Sequence, residues 1–271
     1  MLLIIYPVYY VIVASVSDPS ILYEGRVFLL PRAPSLDGYL RVFSYSEIWY
    51  GYRNSAAYLV LGTAVNLAVT LPAAYALSRK ELRWRKPILI FCTMTIFLRA
   101  GLIPTYLVVN GMGLVNTLGV MILFDAVIVW NLIVSRTFYQ SFPNELYESA
   151  AMDGCSDLRI YVQIVLPTTK TLIMIMLLYY SVHHWNTYFT GLIFLTDPLR
   201  YPIQVVLSFI LARNQVPIGL VSDLGTFEQQ MRMYEMLKYV LIIAGSLPIL
   251  IIIPFVQKYF MRGVMLGSLK G

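Results

Sequence analysis

Six stretches of this chain run close to 20 residues with almost no charge: 1–17, 55–78, 87–109, 114–135, 169–195 and 236–257. The hydrocarbon core of a bilayer is about 30 Å thick, and a helix needs roughly 20 mostly apolar residues to cross it. These runs set the expected fold class: an all-α integral membrane protein, with six transmembrane helices bundled into a single transmembrane domain over 1–271. Composition agrees. The chain is 59% hydrophobic and only 13% charged, against about 45–50% and 25% in soluble domains, which excludes an ordinary globular protein and a disordered one. Pro7, Pro72, Pro104 and Pro248 fall inside the apolar runs, where neighbouring helices must satisfy the carbonyls they free. That predicts kinked, packed helices. Two cysteines, Cys92 and Cys155, exclude a disulfide scaffold. With only two histidines, His183 and His184, a multi-histidine metal site is excluded.

The connections carry the charge. The segment 79–86, RKELRWRK, holds five basic residues in eight, and Arg136, Arg159, Lys170, Lys258, Arg262 and Lys270 lie on the same set of connections. The other connections are near charge balance. Lys and Arg are enriched in cytoplasmic loops, so 79–86, 136–168 and 258–271 are expected inside, with both termini cytoplasmic. The net charge of +6 is therefore read as orientation, not as a nucleic-acid surface. The first apolar run lacks a basic lead-in and a small-residue cleavage site. It reads as a first spanning helix whose cytoplasmic lead-in is short or missing from this sequence. The segments 18–54 and 196–235 read as long polar connections.

The loop 136–168 is the most informative. Pro143 and Asn144 favour a helix start, Glu145 and Glu148 suit its positive end, and Gly154 is a left-handed stop. Leu146 with Ala150, and Tyr147 with Ala151, form a small apolar stripe at i,i+4 spacing. Ser156 opens a second helix towards Leu166-Pro167. An acidic, alanine-bearing helix of this kind suits a groove on another protein better than a lipid headgroup layer, which calls for a large apolar face and basic flanks.

Glu148-Ser149-Ala150-Ala151-Met152-Asp153-Gly154, followed by Ile164-Val165-Leu166-Pro167, resembles the EAA loop of ABC importer permease subunits. Ser149 in place of the first alanine is the one departure. Arg136-Thr137-Phe138, Gly101 to Tyr106, Ala74 to Arg79, Trp185-Asn186-Tyr188-Phe189 and the tail from Tyr259 to Gly271 extend the likeness to carbohydrate importers of the maltose-permease class, and in particular to the LplC-like oligosaccharide or polysaccharide permeases. The resemblance implies the six-helix type I importer bundle in a bacterial cytoplasmic membrane. It implies a second homologous permease, two ATPase subunits that bind the ATP and Mg, and an extracytoplasmic solute-binding protein that delivers an oligosaccharide. Carried over to this chain, Glu148, Ala150, Ala151, Asp153, Gly154, Leu166 and Pro167 are the ATPase-coupling positions, and Glu148 is expected to meet a basic partner. There is no G-x-x-x-x-G-K-[ST] phosphate loop here, so the chain is expected to bind no cofactor itself and to be a permease subunit, not an enzyme.

Arg99 and Asp125 sit mid-segment, where a charge costs about 2.5–3.5 kcal/mol on insertion scales. Either they pair, or Arg99 faces the pathway and grips an anionic sugar such as a uronate. Asn131, His184, Trp185, Asn186 and Tyr188 have the polar-aromatic composition of a sugar path, and equally that of helix–helix glue or an interfacial aromatic belt. A membrane-embedded enzyme would need catalytic groups at one depth, and Asp125 and the histidine pair lie on separate helices. A channel or secondary transporter would call for related halves, and no internal repeat is visible.

Overall fold

The computed structural model describes residues 2–98, 100–213 and 224–268, with side chains described over 5–98, 100–213 and 228–251. Among them there is no strand. The helices are α1 (Leu2–Ser15), α2 (Pro19–Tyr23), α3 (Asp37–Ser44), α4 (Ser46–Ser78), α5 (Arg85–Phe97), α6 (Leu102–Gly111), α7 (Leu118–Leu123), α8 (Val129–Gln140), α9 (Asn144–Met152), α10 (Asp157–Thr168), α11 (Lys170–Trp185), α12 (Phe189–Phe194), α13 (Ile203–Arg213) and α14 (Leu224–Ser268). α10 opens into a π turn over Tyr161–Val165. The chain divides into two compact units, 1–56 with 186–251, and 57–185 with 252–271.

Two helices within the described residues are long and apolar enough to cross a bilayer, Ser46–Ser78 and Glu228–Ile251, and α10 with α11 forms a third candidate bent by 81°. The other apolar runs are interrupted. Within 87–109 the helix stops at Phe97, Leu98 is extended, and α6 starts at Leu102. Pro104 is thus in the first turn of a new helix, where its missing amide costs nothing, and it does not kink a continuous one. Within 114–135 the break falls between Leu123 and Val129, and within 169–195 between Trp185 and Phe189. The long polar connections also hold more structure than their composition predicts. α4 begins at Ser46, nine residues before its apolar run, and α13 buries Ile203, Val205, Val206, Leu207 and Ile210 inside the 196–235 segment.

In the first unit the apolar core gathers Val13, Ala14, Val42, Ile48, Ile203, Ile210, Met236, Leu237 and Val240. Side-chain amides and hydroxyls satisfy the irregular backbone there. Asn54 donates to the carbonyls of Leu199 and Tyr201 at 2.7 and 3.1 Å, Ser55 accepts from the Ile203 amide at 2.8 Å, and Tyr52 donates to the Ala244 carbonyl at 2.7 Å. Asp18 caps α2 by accepting from the Ser20 and Ile21 amides.

The second unit packs α4, α8, α10 and α11 around Leu71, Ala74, Leu132, Ile160, Val165, Leu172, Met176 and Tyr180. One face of α4 carries small and polar residues at i,i+4 spacing: Gly62, Asn66 and Thr70. Asn66 and Thr70 are fully buried. Thr70 and Tyr180 share a 2.7 Å hydroxyl–hydroxyl bond, and Asn66 Oδ1 meets His184 Nε2 at 2.6 Å. Gly62 is where the His184 ring lies against α4, and a Cβ there would come within 2.3 Å of it. Small residues admit this kind of approach in membrane helices, where association depends on close packing and interhelical hydrogen bonds. Gly62→Ala should therefore cost about 1–3 kcal/mol through overpacking. The expected result is a lower melting temperature for the detergent-solubilised protein, partly restored by adding His184→Ala. An unchanged melting curve for Gly62→Ala would show that the ring moves aside freely.

Candidate functional site

α9 follows the local signals in its sequence. Pro143 stands at the N-cap position, Glu145 lies in the first turn, and Gly154 adopts φ +79° just beyond the C-cap Asp153. The Gly154 amide donates to the Ala151 carbonyl at 3.0 Å and the Cys155 amide to the Ala150 carbonyl at 3.1 Å. Those two bonds are the Schellman stop, which satisfies the last carbonyls of a helix and favours glycine at the left-handed position. The helix is nine residues long, about 13 Å.

The two alanines of the motif divide between inside and outside. Ala150 is buried in its own unit's core beside Tyr139, Ile160 and Tyr161. Ala151 is exposed, as are Glu145, Leu146, Glu148, Asp153 and Gly154. Met152 is 83% exposed and Leu158, in the first turn of α10, 72%. The second helix starts as the sequence predicts, with Ser156 at its N-cap position but making no side-chain cap bond. Leu166 is half-buried and Pro167 exposed.

Tyr147 carries a set of contacts that the sequence did not reveal. The Arg79 guanidinium carbon lies 3.4 Å from the centroid of its ring, a cation–π contact worth about 0.5–1 kcal/mol at an exposed site. Its hydroxyl donates to Asp157 Oδ1 at 2.6 Å. That bond to a carboxylate pushes the phenol above its ordinary range, so it stays protonated and donating. Arg79 directly follows the last residue of α4 and also reaches Glu81 at 3.5 Å. Arg136, on α8, donates from Nε to the Leu77 carbonyl at 3.0 Å, which places a cation at the negative end of α4.

Two of the polar residues singled out within the apolar runs, Asp125 and His184, join a cluster through Asn66 and His183. The two carbonyls at the α7–α8 break, Asp125 and Ala126, both accept from Asn66 Nδ2, at 2.6 and 2.9 Å. The Asp125 carboxylate, about one-third exposed, pairs with His183 Nε2 at 3.0 Å. Asn66 Oδ1 holds His184, which stands edge-on to His183. Asn131, His184 and Trp185 are buried, while Asn186 and Tyr188 are exposed. Arg99 lies outside the described residues, and within them the carboxylate of Asp125 is met by histidine. Sequence position separated Asp125 from the histidines, but the break before α8 brings them together. Among the described residues no group of three or more His, Cys, Asp or Glu side chains could hold a metal.

Long apolar helices together with a short acidic helix bearing uncovered apolar side chains are features this chain shares with a family of membrane transport components. The chain belongs to the family of binding-protein-dependent transport system inner membrane components, whose model matches residues 48–266. It is a multi-pass membrane component of ABC importers, and not an enzyme. It is 36% identical to the polygalacturonan/rhamnogalacturonan transport system permease protein YtcP of Bacillus subtilis strain 168, across 100% of this chain and 94% of that protein. It is 35% identical to Protein LplC of the same organism, across 98% and 90%. The fold is similar to a chain in the crystal structure of a bacterial ABC transporter involved in the import of the acidic polysaccharide alginate. The TM-score there is 0.84, with 29% identity, 96% of this chain and 91% of that one covered.

No atom lies within 4 Å of a Cβ built on Gly154, so substitution there strains only the backbone. Gly154→Ala should destabilise the turn by roughly 1–2 kcal/mol and Gly154→Asn by less. Faster amide exchange over 150–156 in the alanine variant is the readout, and equal exchange in all three proteins contradicts it.

Proposed function

We propose that this chain forms half of the translocation pathway of an ATP-driven importer for an acidic, uronate-type oligosaccharide, with α9 as the coupling helix. In this reading a second homologous permease completes the pathway. Two separate ATPase subunits bind the ATP and Mg, and an extracytoplasmic binding protein delivers the sugar. The six apolar runs each cross the membrane, several as broken helices, and 79–86, 136–168 and both termini face the cytoplasm.

The observation that carries the reading is the outer face of α9. Leu146, Ala151 and Met152 are uncovered next to Glu145 and Glu148, on a helix whose other face is locked by Ala150 and Tyr147. An uncovered apolar patch on an otherwise fixed helix is a docking surface. The names of relatives that carry polygalacturonan, rhamnogalacturonan and alginate support an anionic cargo. Alternating access then follows from the partner's affinity for one state of the permease pair. ATP closes the ATPase dimer, α9 moves with it, the permeases open outward to the binding protein, and hydrolysis resets them. Arg99 is the proposed partner of the sugar carboxylate. Asp125, Asn186 and Tyr188 are the accessible pathway candidates among the described residues. Asn131, His184 and Trp185, which are buried, are proposed to support the pathway within their own unit.

The test is uptake by the reconstituted complex with its binding protein. Oligogalacturonate should be accumulated in preference to a neutral oligosaccharide of equal length. Glu148→Arg should cut uptake about tenfold or release the ATPase on purification, because a charge reversal at a docking surface removes an attraction and adds a repulsion. Arg99→Ala should reduce acidic far more than neutral uptake. Equal loss of both cargoes rules out the role of Arg99, and uptake without any associated ATPase rules out the assignment as a whole.

A further inference from the structure

α9 is tied to the rest of its unit in two different ways. Ala150 packs into an apolar core, and apolar packing has no preferred direction. Tyr147 makes directional contacts: the Arg79 guanidinium on its ring face and Asp157 Oδ1 on its hydroxyl. A cavity of about 410 Å³ lies beside these groups, lined by Tyr75, Arg79, Glu81, Tyr147, Asp157 and Tyr161. The Tyr147 ring packs on the core on one side and borders this open volume on another, so a push on α9 has space into which to drive the ring. The contacts of Tyr147 with Arg79 and Asp157 oppose that movement.

What lies beyond Arg79 gives the contact a consequence. Arg79 continues directly from α4, whose end is also held by Arg136 through the Leu77 carbonyl. Thirteen residues back along α4, roughly 20 Å, Asn66 holds the carbonyls at the α7–α8 break and the ring of His184. The helix runs unbroken between Asn66 and its end at Ser78, with Pro72 removing one bond of its ladder, so a displacement at Arg79 is carried towards Asn66 by the bonds that remain. We propose that the stack of Arg79 on Tyr147, fixed by Asp157, is a positioning device that carries the displacement of α9 into α4 and so to the polar cluster at Asn66. Tyr147 and Arg79 touch neither nucleotide nor cargo. They determine how much of each ATP-driven movement of α9 reaches the pathway. This proposal rests on the reading of α9 as the surface gripped by an ATPase.

The experiment measures oligosaccharide accumulated per ATP hydrolysed, in proteoliposomes holding the full complex and its binding protein, with oligogalacturonate as the first probe. Tyr147→Ala and Arg79→Ala should each lower that ratio by about fivefold, the low end of coupling between sites, while the hydrolysis rate stays within about twofold. The double variant should be no worse than either single one, as expected of two groups acting as a unit. Tyr147→Phe keeps the stack and loses only the Asp157 bond, so it should lose less than Tyr147→Ala. Arg79→Lys keeps the charge without the planar stack and should lower the ratio measurably. Should the alanine variants fail to assemble, Tyr147→Phe and Arg79→Lys still read the ratio, and an unchanged ratio in both overturns the proposal. Uptake and hydrolysis falling in proportion overturns it as well, since that marks a merely structural role. A wild-type complex with no ATP-driven uptake defeats the importer reading. A working wild type with unaltered ratios in the variants defeats only this contact.

Discussion

The carboxamide of Asn66 is the interaction on which much of the second unit depends. Where a helix breaks in hydrocarbon, its carbonyls have no water to turn to, and each one left bare costs several kcal/mol. The break between α7 and α8 leaves the carbonyls of Asp125 and Ala126 outside any helical ladder, and Asn66 Nδ2 answers both. Its oxygen is used at the same time by His184. One buried side chain thus joins α4, the broken segment and α11, and Gly62 and Thr70 extend the seam one turn either way. The break is tolerated because of this seam. It also delivers the Asp125 carboxylate to His183, leaving a partly exposed hydrogen-bonded pair at the edge of the cluster.

The features written locally in the sequence are the ones it revealed. The boundaries of α9 follow from Pro143, Asn144 and Gly154, because caps and left-handed stops are decided within a few residues. The class of the fold was legible from the long apolar runs, since membrane thickness imposes their length. The breaks inside those runs were not. Gly101 and Pro104 sit within one long, mostly apolar run, and hydropathy does not distinguish a kinked helix from two helices in series. α13 was hidden for a related reason. It is apolar but only eleven residues long, too short to read as a span, and only packing in the first unit shows that Ile203, Val206 and Ile210 are core.

Within the site, sequence proximity misled in one direction and long-range contact in the other. Ala150 and Ala151 are neighbours in a shared motif, yet a helix turns about 100° per residue. One therefore faces the chain's own core and the other faces out. Asp125 and His183 are 58 residues apart, and no periodicity argument could give the relative rotation of the helices that bear them. The stack of Arg79 on Tyr147 was invisible for the same reason, although the aromatic at a position next to the acidic Glu148 was a usable hint: a tyrosine in a short polar helix needs a surface to lie on.

The 81° bend between α10 and α11 has a mechanical meaning of its own. Thr169 sits at the corner, its hydroxyl bonded back to the Val165 carbonyl. Two rods that meet at nearly a right angle form a crank: sliding the first along its length is, for the second, a sideways shove at its foot. Any thrust along α10 would therefore reach α11 as a sideways push at its foot and not as a piston stroke, turning it about its far end, where His184 is held by Asn66.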